Sequence, residues 1–298
     1  MPVLVGTASW TDKTLIDCGR FYPPHARTPE GRLRHYASVF PLVEVDSSYY
    51  AMPTPANAQR WAERTPDTFT MNVKSFRLFT GHQTSPTVLH KDIQAQLGPA
   101  AARRQLYYKD VPPALRDELW RRFIEALAPL KAAGRLGLVH FQFPPWVRCG
   151  AAGRSHVAHC VEHMAGHTVS VEFRHASWFA GGQADETLAF ERDLAVVHTV
   201  VDEPQGFDNS VPAVWARSHP AGALVRLHGR NAGTWNLPGG TASSDRFNYD
   251  YPDNELEGLA ANIRQLSLDG VFTHVVFNNN MEDQGQRNAK SLMAILGI

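Results

Sequence analysis

Short apolar runs rich in Val, Leu and Phe recur along the chain and alternate with segments of helical periodicity. Eight such runs are present: Val3–Thr7, Leu42–Asp46, Phe69–Lys74, Leu136–Phe143, Thr168–Phe173, Ala195–Asp202, Ala223–His228 and Thr273–Asn279. Several are apolar over most of their length, which is typical of strands buried on both faces of a parallel sheet. Eight strands that alternate with helices predict an α/β fold, a TIM (β/α)8 barrel.

The segments between the strands carry helix signals. Helices are predicted at Glu30–Phe40, at Pro55–Arg64, which opens with proline, and at Arg116–Ala132. Segment 78–113 is too long for a plain connection, so we expect an insertion between strands 3 and 4. Loops are predicted at Gly181-Gly182 and Asn236–Thr241. No repeat or linker divides the sequence, which predicts a single barrel domain over residues 1–298.

Each predicted strand ends in polar residues. In chain order these are Thr7 with Ser9 and Trp10, Glu44 with Asp46, Asn72 with Lys74, His140 with Gln142, Glu172 with Arg174, Asp202, Arg226 with His228, and Asn278 with Asn279. Side chains two positions apart on a strand share a face, which applies to three pairs: Glu44 with Asp46, Glu172 with Arg174, and Arg226 with His228. Barrel active sites lie at the C-terminal ends of the strands, where these residues converge. The pattern predicts one ligand site there; the alternative is a buried structural network of ion pairs.

Composition narrows the class of protein. The 29 basic and 29 acidic residues balance, which gives no overall field toward nucleic acid or acidic lipid. The three cysteines, Cys18, Cys149 and Cys160, are scattered and favour a reducing compartment. The N-terminal residues lack the features of a signal peptide, and no apolar stretch approaches the ~20 residues of a membrane span. We therefore expect a cytoplasmic protein without a membrane partner.

Several motifs together are similar to those of one family. They are Gly6-Thr7-Ala8-Ser9-Trp10, Phe21-Tyr22-Pro23, Val43-Glu44-Val45-Asp46-Ser47-Ser48-Tyr49-Tyr50, Gly134-Arg135-Leu136-Gly137, Gln142-Phe143-Pro144-Pro145, Glu172-Phe173-Arg174-His175 with Trp178, Arg226-Leu227-His228-Gly229-Arg230, and Phe277-Asn278-Asn279 with Asn288-Ala289. In this order they resemble the domain-of-unknown-function family 72 (DUF72), also called YecE-like. The resemblance implies a TIM barrel and supplies no activity. The chain differs in carrying Asp46 where the family usually has Asn, and Ala8-Ser9 where it often has Ser-Gly.

The charged residues of the predicted mouth suggest chemistry. Lys74, Arg174 and Arg226 come from three strands and could hold one anionic group, or each could be paired with a neighbouring carboxylate. We expect the ligand also to contact residues from the strand ends and the loops that follow: Thr7, Ser9, Trp10, Tyr22, Asp46, Tyr50, Gln142, Asn278 and Asn279. Glu172, beside Phe173, is the best candidate for a raised pKa and for proton transfer. The other catalytic candidates are Glu44, His228 and Asp202.

No cofactor is predicted, although a divalent metal has one candidate ligand set. That set is Glu172, Asp202 and His228, and the neighbouring cations would repel a metal there. A second cluster, His156, His159, His163 and His167, lies on a predicted outer helix. Its apolar stripe should face the barrel and leave the histidines on a solvated flank.

Three functions fit these residues. The first is an enzyme of the hydrolase or lyase class that uses acid–base chemistry on a small anionic, phosphorylated or sugar-like substrate. The second is a nucleic-acid-binding or metal-dependent phosphodiester-cleaving protein resembling endonuclease IV-like barrels. The basic and aromatic stretch Arg103, Arg104, Tyr107, Tyr108 and Lys109 supports it, and the neutral net charge weighs against it. The third is a non-catalytic metabolite sensor.

Overall fold

The computed structural model describes residues 3–237, 243–268 and 270–298. Within these ranges, eight parallel strands close into a barrel in chain order. They are β1 Val3–Ala8, β2 Leu42–Val45, β3 Thr70–Lys74, β4 Leu136–Gln142, β5 Val169–Glu172, β6 Val197–Asp202, β7 Gly222–Leu227 and β8 Phe272–Phe277. The barrel closes where Val3 to Thr7 pair in register with Thr273 to Phe277. The predicted TIM barrel is confirmed, and each predicted strand differs from the observed one by at most two residues at either end.

Helices connect the strands and cover the outside of the barrel. They are α1 Lys13–Asp17, α2 Pro29–Val39, α3 Ser47–Tyr50, α4 Pro55–Glu63, α5 Lys91–Gln96, α6 Pro113–Ala132, α7 Ala151–His163, α8 Gln183–Asp193, α9 Ser243–Arg246, α10 Asp253–Ser267 and α11 Gln284–Leu296. Helices α2 and α4 begin with proline behind a threonine cap whose hydroxyl accepts a backbone N–H. Among the described residues, no helix combines the length and apolar character needed to cross a bilayer.

The segment between β3 and α6 holds α5 and three short 3-10 helices, Pro86–Val88, Gly98–Ala102 and Tyr108–Asp110. An antiparallel bridge between Thr84 and Leu106 ties its two ends together. The predicted loop at Gly181-Gly182 is a tight turn in which both glycines have positive φ angles. The predicted loop Asn236–Thr241 lies outside the described residues from 238 onward.

The barrel interior has an apolar lower layer and a polar upper layer. The lower layer, near the start of the strands, contains Leu4, Leu42, Leu138, Val197 and Leu224. The upper layer contains the buried polar side chains Glu44, Asn72, His140, Ser170, Glu172 and Arg226. His274 is a polar exception in the lower layer, where it pairs in register with Leu4 and Leu224 and lies 3.0 Å from Asn72 Oδ1. The alternate residues of the strands face outward into the larger core beneath the helices. The interior is therefore packed, and its charged half faces the mouth.

Two local features at β1 explain its sequence. A Cβ atom added at Gly6 would lie 1.9 Å from the carbonyl oxygen of Leu42, so β1 and β2 approach too closely for any side chain. Ser9 has a φ of 70°, in the left-handed region that costs a non-glycine residue free energy. Its hydroxyl accepts the backbone N–H of Thr11 at 3.1 Å. A glycine at this position, as the family resemblance implies, would adopt this φ without that cost.

The histidines of α7 differ from their prediction. The apolar positions Val157, Cys160 and Met164 are buried as expected. His159, however, lies 2.8 Å from the Tyr108 hydroxyl, and the His163 ring lies 4.7 Å from that of Trp120. All four histidines are half-buried, so the flank is only partly solvated, because the segment between β3 and α6, together with α6, packs on it.

Candidate functional site

A buried ion network fills the upper layer of the barrel. Arg226, from β7, donates to Glu172 Oε2 at 2.6 Å and to Glu44 Oε1 at 2.7 Å. All three side chains have zero exposure. Because two carboxylates share one guanidinium, a second cation is needed near them, and Arg174 lies 3.1 Å from Glu172 Oε1. Arg226 therefore binds carboxylates of the protein itself, which is the paired alternative raised for the sequence.

Two histidines complete the surroundings of Glu172. His140 Nε2 lies 3.4 Å from Glu172 Oε2, and His228 Nε2 lies 3.3 Å from Oε1. Burial lowers the pKa of His228 to about 3, so this ring is neutral near pH 7. Asn278 approaches the other ring nitrogen of His228 at 2.8 Å and orients the imidazole. The network thus consists of charged Arg and Glu groups flanked by neutral imidazoles.

The expected raised pKa of Glu172 is wrong. Burial opposes ionisation of this carboxyl, but the charge of Arg226 and the hydrogen bonds from His140 and His228 hold its pKa well below the usual range. The sequence predicts the opposite because Phe173 is adjacent to Glu172 in the chain, whereas Arg226 on β7 is far from it in the sequence. Glu172 is therefore ionised near neutral pH, which makes it a poor proton donor.

Two further ion pairs lie closer to the mouth. Lys74 Nζ lies 2.9 Å from Asp46 Oδ1 and 4.6 Å from the centre of the Tyr49 ring. Arg174 Nη1 lies 2.6 Å from Glu203 Oε2. Burial raises the pKa of Glu203 to about 7. Sequence reasoning missed Glu203, although its place directly after Asp202 at the end of β6 was a usable signal.

A cavity of about 380 Å³ opens above this network, and we call it the mouth pocket. Its walls are Tyr49, Tyr50, Lys74, His82, Gln142, Pro144, Pro145, Trp146, Arg174, Asn209, Arg246, Phe247 and Asn278. Among these described residues three are cations and none is a carboxylate. Burial lowers the pKa of His82 to about 3, so its ring adds no charge near pH 7. The pocket is thus cationic and amide-rich, with aromatic walls.

The sequence identified part of this pocket. Five of the predicted ligand contacts line it: Tyr50, Lys74, Gln142, Arg174 and Asn278. The missed residues include His82, Asn209, Arg246, Phe247 and Trp146, all of which lie on connections between strands and helices. Trp146 had a signal, because it directly follows the quoted Gln142-Phe143-Pro144-Pro145 motif. Arg246, on the short helix α9, had none.

Other predicted ligand contacts make packing contacts instead of lining the mouth pocket. The Thr7 hydroxyl lies 2.9 Å from that of Tyr36, and the buried Trp10 ring meets Trp61 edge to face. Tyr22 donates its hydroxyl hydrogen to the Trp10 carbonyl. Asn279 donates to the carbonyl of Tyr249 at 2.8 Å and to Asn288 at 2.7 Å.

The members of the candidate metal set, Glu172, Asp202 and His228, do not share one set of contacts. Asp202 accepts from Arg230 Nη2 at 2.7 Å and from the Tyr251 hydroxyl at 2.7 Å, whereas Glu172 and His228 face each other. Within the described part of the chain, no group of three or more His, Cys, Asp or Glu side chains is arranged to hold a metal ion. Arg226 and Arg174 add positive charge beside Glu172, which disfavours a cation there.

A carboxyl pair lies at the β1 and β2 side of the mouth. Burial, followed by the charge of Asp46, raises the pKa of Asp12 to about 7, while hydrogen bonds from Asn280 and Ser9 oppose this shift. Burial opposes ionisation of Asp46 too, but Lys74 holds its pKa below the usual value. Tyr50, on the pocket wall, is close enough to both carboxyls for their charges to help raise its pKa to about 12, after burial as the main cause. Carboxyl groups with separated pKa values can divide the roles of acid and base.

The basic and aromatic stretch of the insertion is partly occupied by contacts within the protein. Arg103 pairs with Asp110 at 2.8 Å, and the buried Tyr108 hydroxyl accepts from Trp120 Nε1 at 2.8 Å. Tyr107 and Lys109 are exposed. Two of the five residues of this stretch, Arg103 and Tyr108, thus make contacts within the protein.

Comparisons with known proteins agree with this architecture. UPF0759 protein YunF of Bacillus subtilis is 30% identical over 298 residues, which cover 99% of this chain and 95% of YunF. UPF0759 protein YecE of Escherichia coli is 28% identical over 168 residues, which cover 56% of this chain and 50% of YecE.

Solved structures share the fold. The crystal structure of a DUF72 family protein from Thermotoga maritima has a TM-score of 0.77 and 25% identity, and the match covers 99% of each chain. One from Enterococcus faecalis has a TM-score of 0.79 at 24% identity, over 100% of this chain and 96% of that one. The family model described as "Protein of unknown function DUF72" matches residues 4–298. The resemblance stated from the motifs is confirmed, and the chain belongs to the DUF72 family.

Proposed function

We propose that the protein binds a small anionic ligand, carrying a phosphate or carboxylate group, in the mouth pocket. The observation that supports this most directly is the composition of the wall. Lys74, Arg174 and Arg246 line one cavity, and no described lining residue carries a carboxylate. An anion there gains charge-assisted hydrogen bonds from the cations without facing a negative group across the cavity.

The three cations have different roles in this proposal. Lys74 and Arg174 are each held in place by an ion pair, with Asp46 at 2.9 Å and with Glu203 at 2.6 Å. Arg246 donates to the Leu237 carbonyl at 3.2 Å and forms no ion pair with a carboxylate elsewhere in the described ranges. Its charge is therefore the least compensated of the three and attracts the anion most strongly.

The uncharged walls favour a ligand that also carries hydroxyl groups. Gln142, Asn209 and Asn278 present amides, which donate and accept hydrogen bonds as sugar hydroxyls require. Phe247 supplies aromatic surface for the apolar side of such a ligand. A phosphorylated or sugar-like compound satisfies the pocket better than inorganic phosphate alone.

We infer that acid–base chemistry on this ligand uses Asp12 and Asp46, which do not line the mouth pocket but adjoin its wall at Lys74 and Tyr50. Asp12, whose pKa is raised to about 7, can both release and take up a proton near neutral pH, whereas the pKa of Asp46 is lowered by its pairing with Lys74. This pair replaces Glu172, because the pKa of Glu172 is shifted away from the range that proton transfer needs. In this proposal the protein is an enzyme. Glu172 and Glu44 have a structural role, in which they bind Arg226 inside the barrel.

Calorimetric titration with inorganic phosphate and ribose 5-phosphate tests the binding step. Arg246→Gln should weaken both by about tenfold, the effect of losing one charge-assisted hydrogen bond. Arg192→Gln, which removes an exposed arginine from α8, should leave both unchanged. Failure of the parent protein to bind either compound, or equal affinities for the two variants, would refute the proposal.

A panel of sugar phosphates, followed by product detection, tests the reaction. Asp12→Asn should abolish turnover while ligand affinity changes by less than about threefold, because the amide keeps the shape but cannot exchange the proton. Glu172→Gln is the comparison, and its effect should appear mainly as lost stability. Full turnover by Asp12→Asn would remove this residue from the mechanism.

A further inference from the structure

A second cavity of about 380 Å³ adjoins the mouth pocket, and we call it the side cavity. It lies between the insertion and the segment that follows β4, and its walls include Tyr107, Lys109 and Trp146. Trp146 also lines the mouth pocket, so the two spaces meet at one indole ring. Its Nε1 donates to the Gly81 carbonyl at 3.1 Å, which fixes the ring between them.

Exposed aromatic side chains are concentrated at these two cavities. In the described ranges the strongly exposed large aromatics are Trp146 at 55%, Tyr50 at 50% and Tyr107 at 39%. All three line the mouth pocket or the side cavity. Exposed aromatic surface gathered beside a cavity marks a binding site, because each ring leaves a large apolar area in water until a partner covers it.

The chemistry of the side cavity differs from that of the mouth pocket. Its walls are mostly apolar and aromatic, and its one lysine, Lys109, is exposed and forms no ion pair with any described residue. Ring faces favour a planar group, and an ammonium at the edge favours hydrogen-bond acceptors on that group. A nitrogen heterocycle combines both properties.

We propose that the mouth pocket and the side cavity together bind one ligand of the nucleoside monophosphate class. The phosphate lies among the cations of the mouth pocket, which is the part that rests on the proposed function. The sugar hydroxyls face the amides of that pocket, and the base occupies the side cavity against Trp146 and Tyr107. Lys109 contacts acceptor atoms at the edge of the base.

Calorimetric titration with adenosine 5′-monophosphate and ribose 5-phosphate tests this assignment. The nucleotide adds a base and keeps the sugar and the phosphate, so the difference in affinity reports the side cavity. We expect the parent protein to bind the nucleotide at least about tenfold more tightly, as stacking of one base on an aromatic side chain allows. Tyr107→Ala should remove most of that difference and leave ribose 5-phosphate affinity unchanged.

Matched variants separate the two parts of the site. Tyr107→Phe keeps the ring and should retain nucleotide affinity, and Val88→Ala changes an exposed residue of the same insertion that does not line the side cavity. Equal affinities for the two ligands, or a nucleotide affinity that Tyr107→Ala does not alter, would overturn the inference and leave the proposed function standing. Absence of binding by both ligands would overturn the proposed function and this inference with it.

Discussion

Replacing Arg226 by methionine isolates the contribution of the buried network. The guanidinium joins Glu44 and Glu172 at 2.7 and 2.6 Å, and none of the three side chains is exposed. Methionine fills a similar volume without a charge, so packing is largely kept while the cation is lost. The variant therefore measures what two buried carboxylates cost when their shared partner is absent.

The size of the effect follows from the contacts that remain. Glu172 keeps Arg174 at 3.1 Å, whereas Glu44 has no other cation within ion-pair distance among the described residues. Removing one partner of a buried pair typically costs about 3–5 kcal/mol, and we expect a loss of that size in the free energy of unfolding near pH 7.

The pH dependence of this loss has a definite sign. Because the pKa of Glu172 in the folded protein lies well below its ordinary value, its ionised form adds stability above the unfolded-state pKa of about 4.5, and this is lost as the pH falls. The variant lacks that contribution, and a buried carboxylate left without its cation can accept a proton at low pH. The difference between the parent and Arg226→Met should therefore shrink as the pH falls toward about 4.

Urea denaturation at both pH values, followed by circular dichroism, measures the difference. The double variant Glu44→Gln with Arg226→Met also removes the carboxylate that the single variant leaves without a cation. It should recover about 2 kcal/mol of the lost free energy of unfolding. Arg192→Gln serves as the surface control. A loss below about 1 kcal/mol near pH 7, or one that does not change with pH, would refute the view that ionised carboxylates are held by Arg226.

Three further predictions concern single positions. Ser9→Gly should be more stable than Ser9→Ala by about 1 kcal/mol, because both lose the hydroxyl and only glycine relieves the left-handed φ; the reverse order in urea denaturation contradicts this. Gly6→Ala should lower the free energy of unfolding by about 3 kcal/mol or more, because its Cβ meets the Leu42 carbonyl. Gly258→Ala, at an exposed position of α10, should raise it by about 0.5–1 kcal/mol. Equal thermal midpoints for these two variants would exclude that clash. Glu203→Gln should gain stability over the parent as the pH rises from about 4.5 to about 7, because the unfolded parent ionises this carboxyl over that range while burial keeps it protonated in the folded parent; parallel pH profiles would disagree.

The strands were predictable because burial on both faces leaves a simple signal. β6 is buried at all six positions and reads as an apolar run ending in Asp202. The ends of such runs also located Lys74, Gln142 and Arg174 on the pocket wall, since parallel strands in a barrel direct their carboxyl ends to one side. This part of the site follows from strand direction alone.

The rest of the site depends on contacts that span the sequence. The pKa of Glu172 is decided by Arg226, 54 positions later, and strand periodicity does not reveal that the two meet across the interior. Arg246 and Asn209 lie on long connections whose course is set by tertiary packing. Predicting a pKa requires knowing every neighbour, whereas predicting a strand requires only its own burial.

The two-layered interior separates folding from ligand chemistry. Leu4, Leu42 and Leu224 close the lower end of the cylinder with hydrocarbon, so no water-filled channel runs through these packed positions. Replacing a ligand-contacting side chain at the open end of the barrel leaves this apolar layer at the other end unchanged. A barrel organised in this way can acquire a new specificity by substitutions at its open end without having to rebuild the part that keeps the strands together.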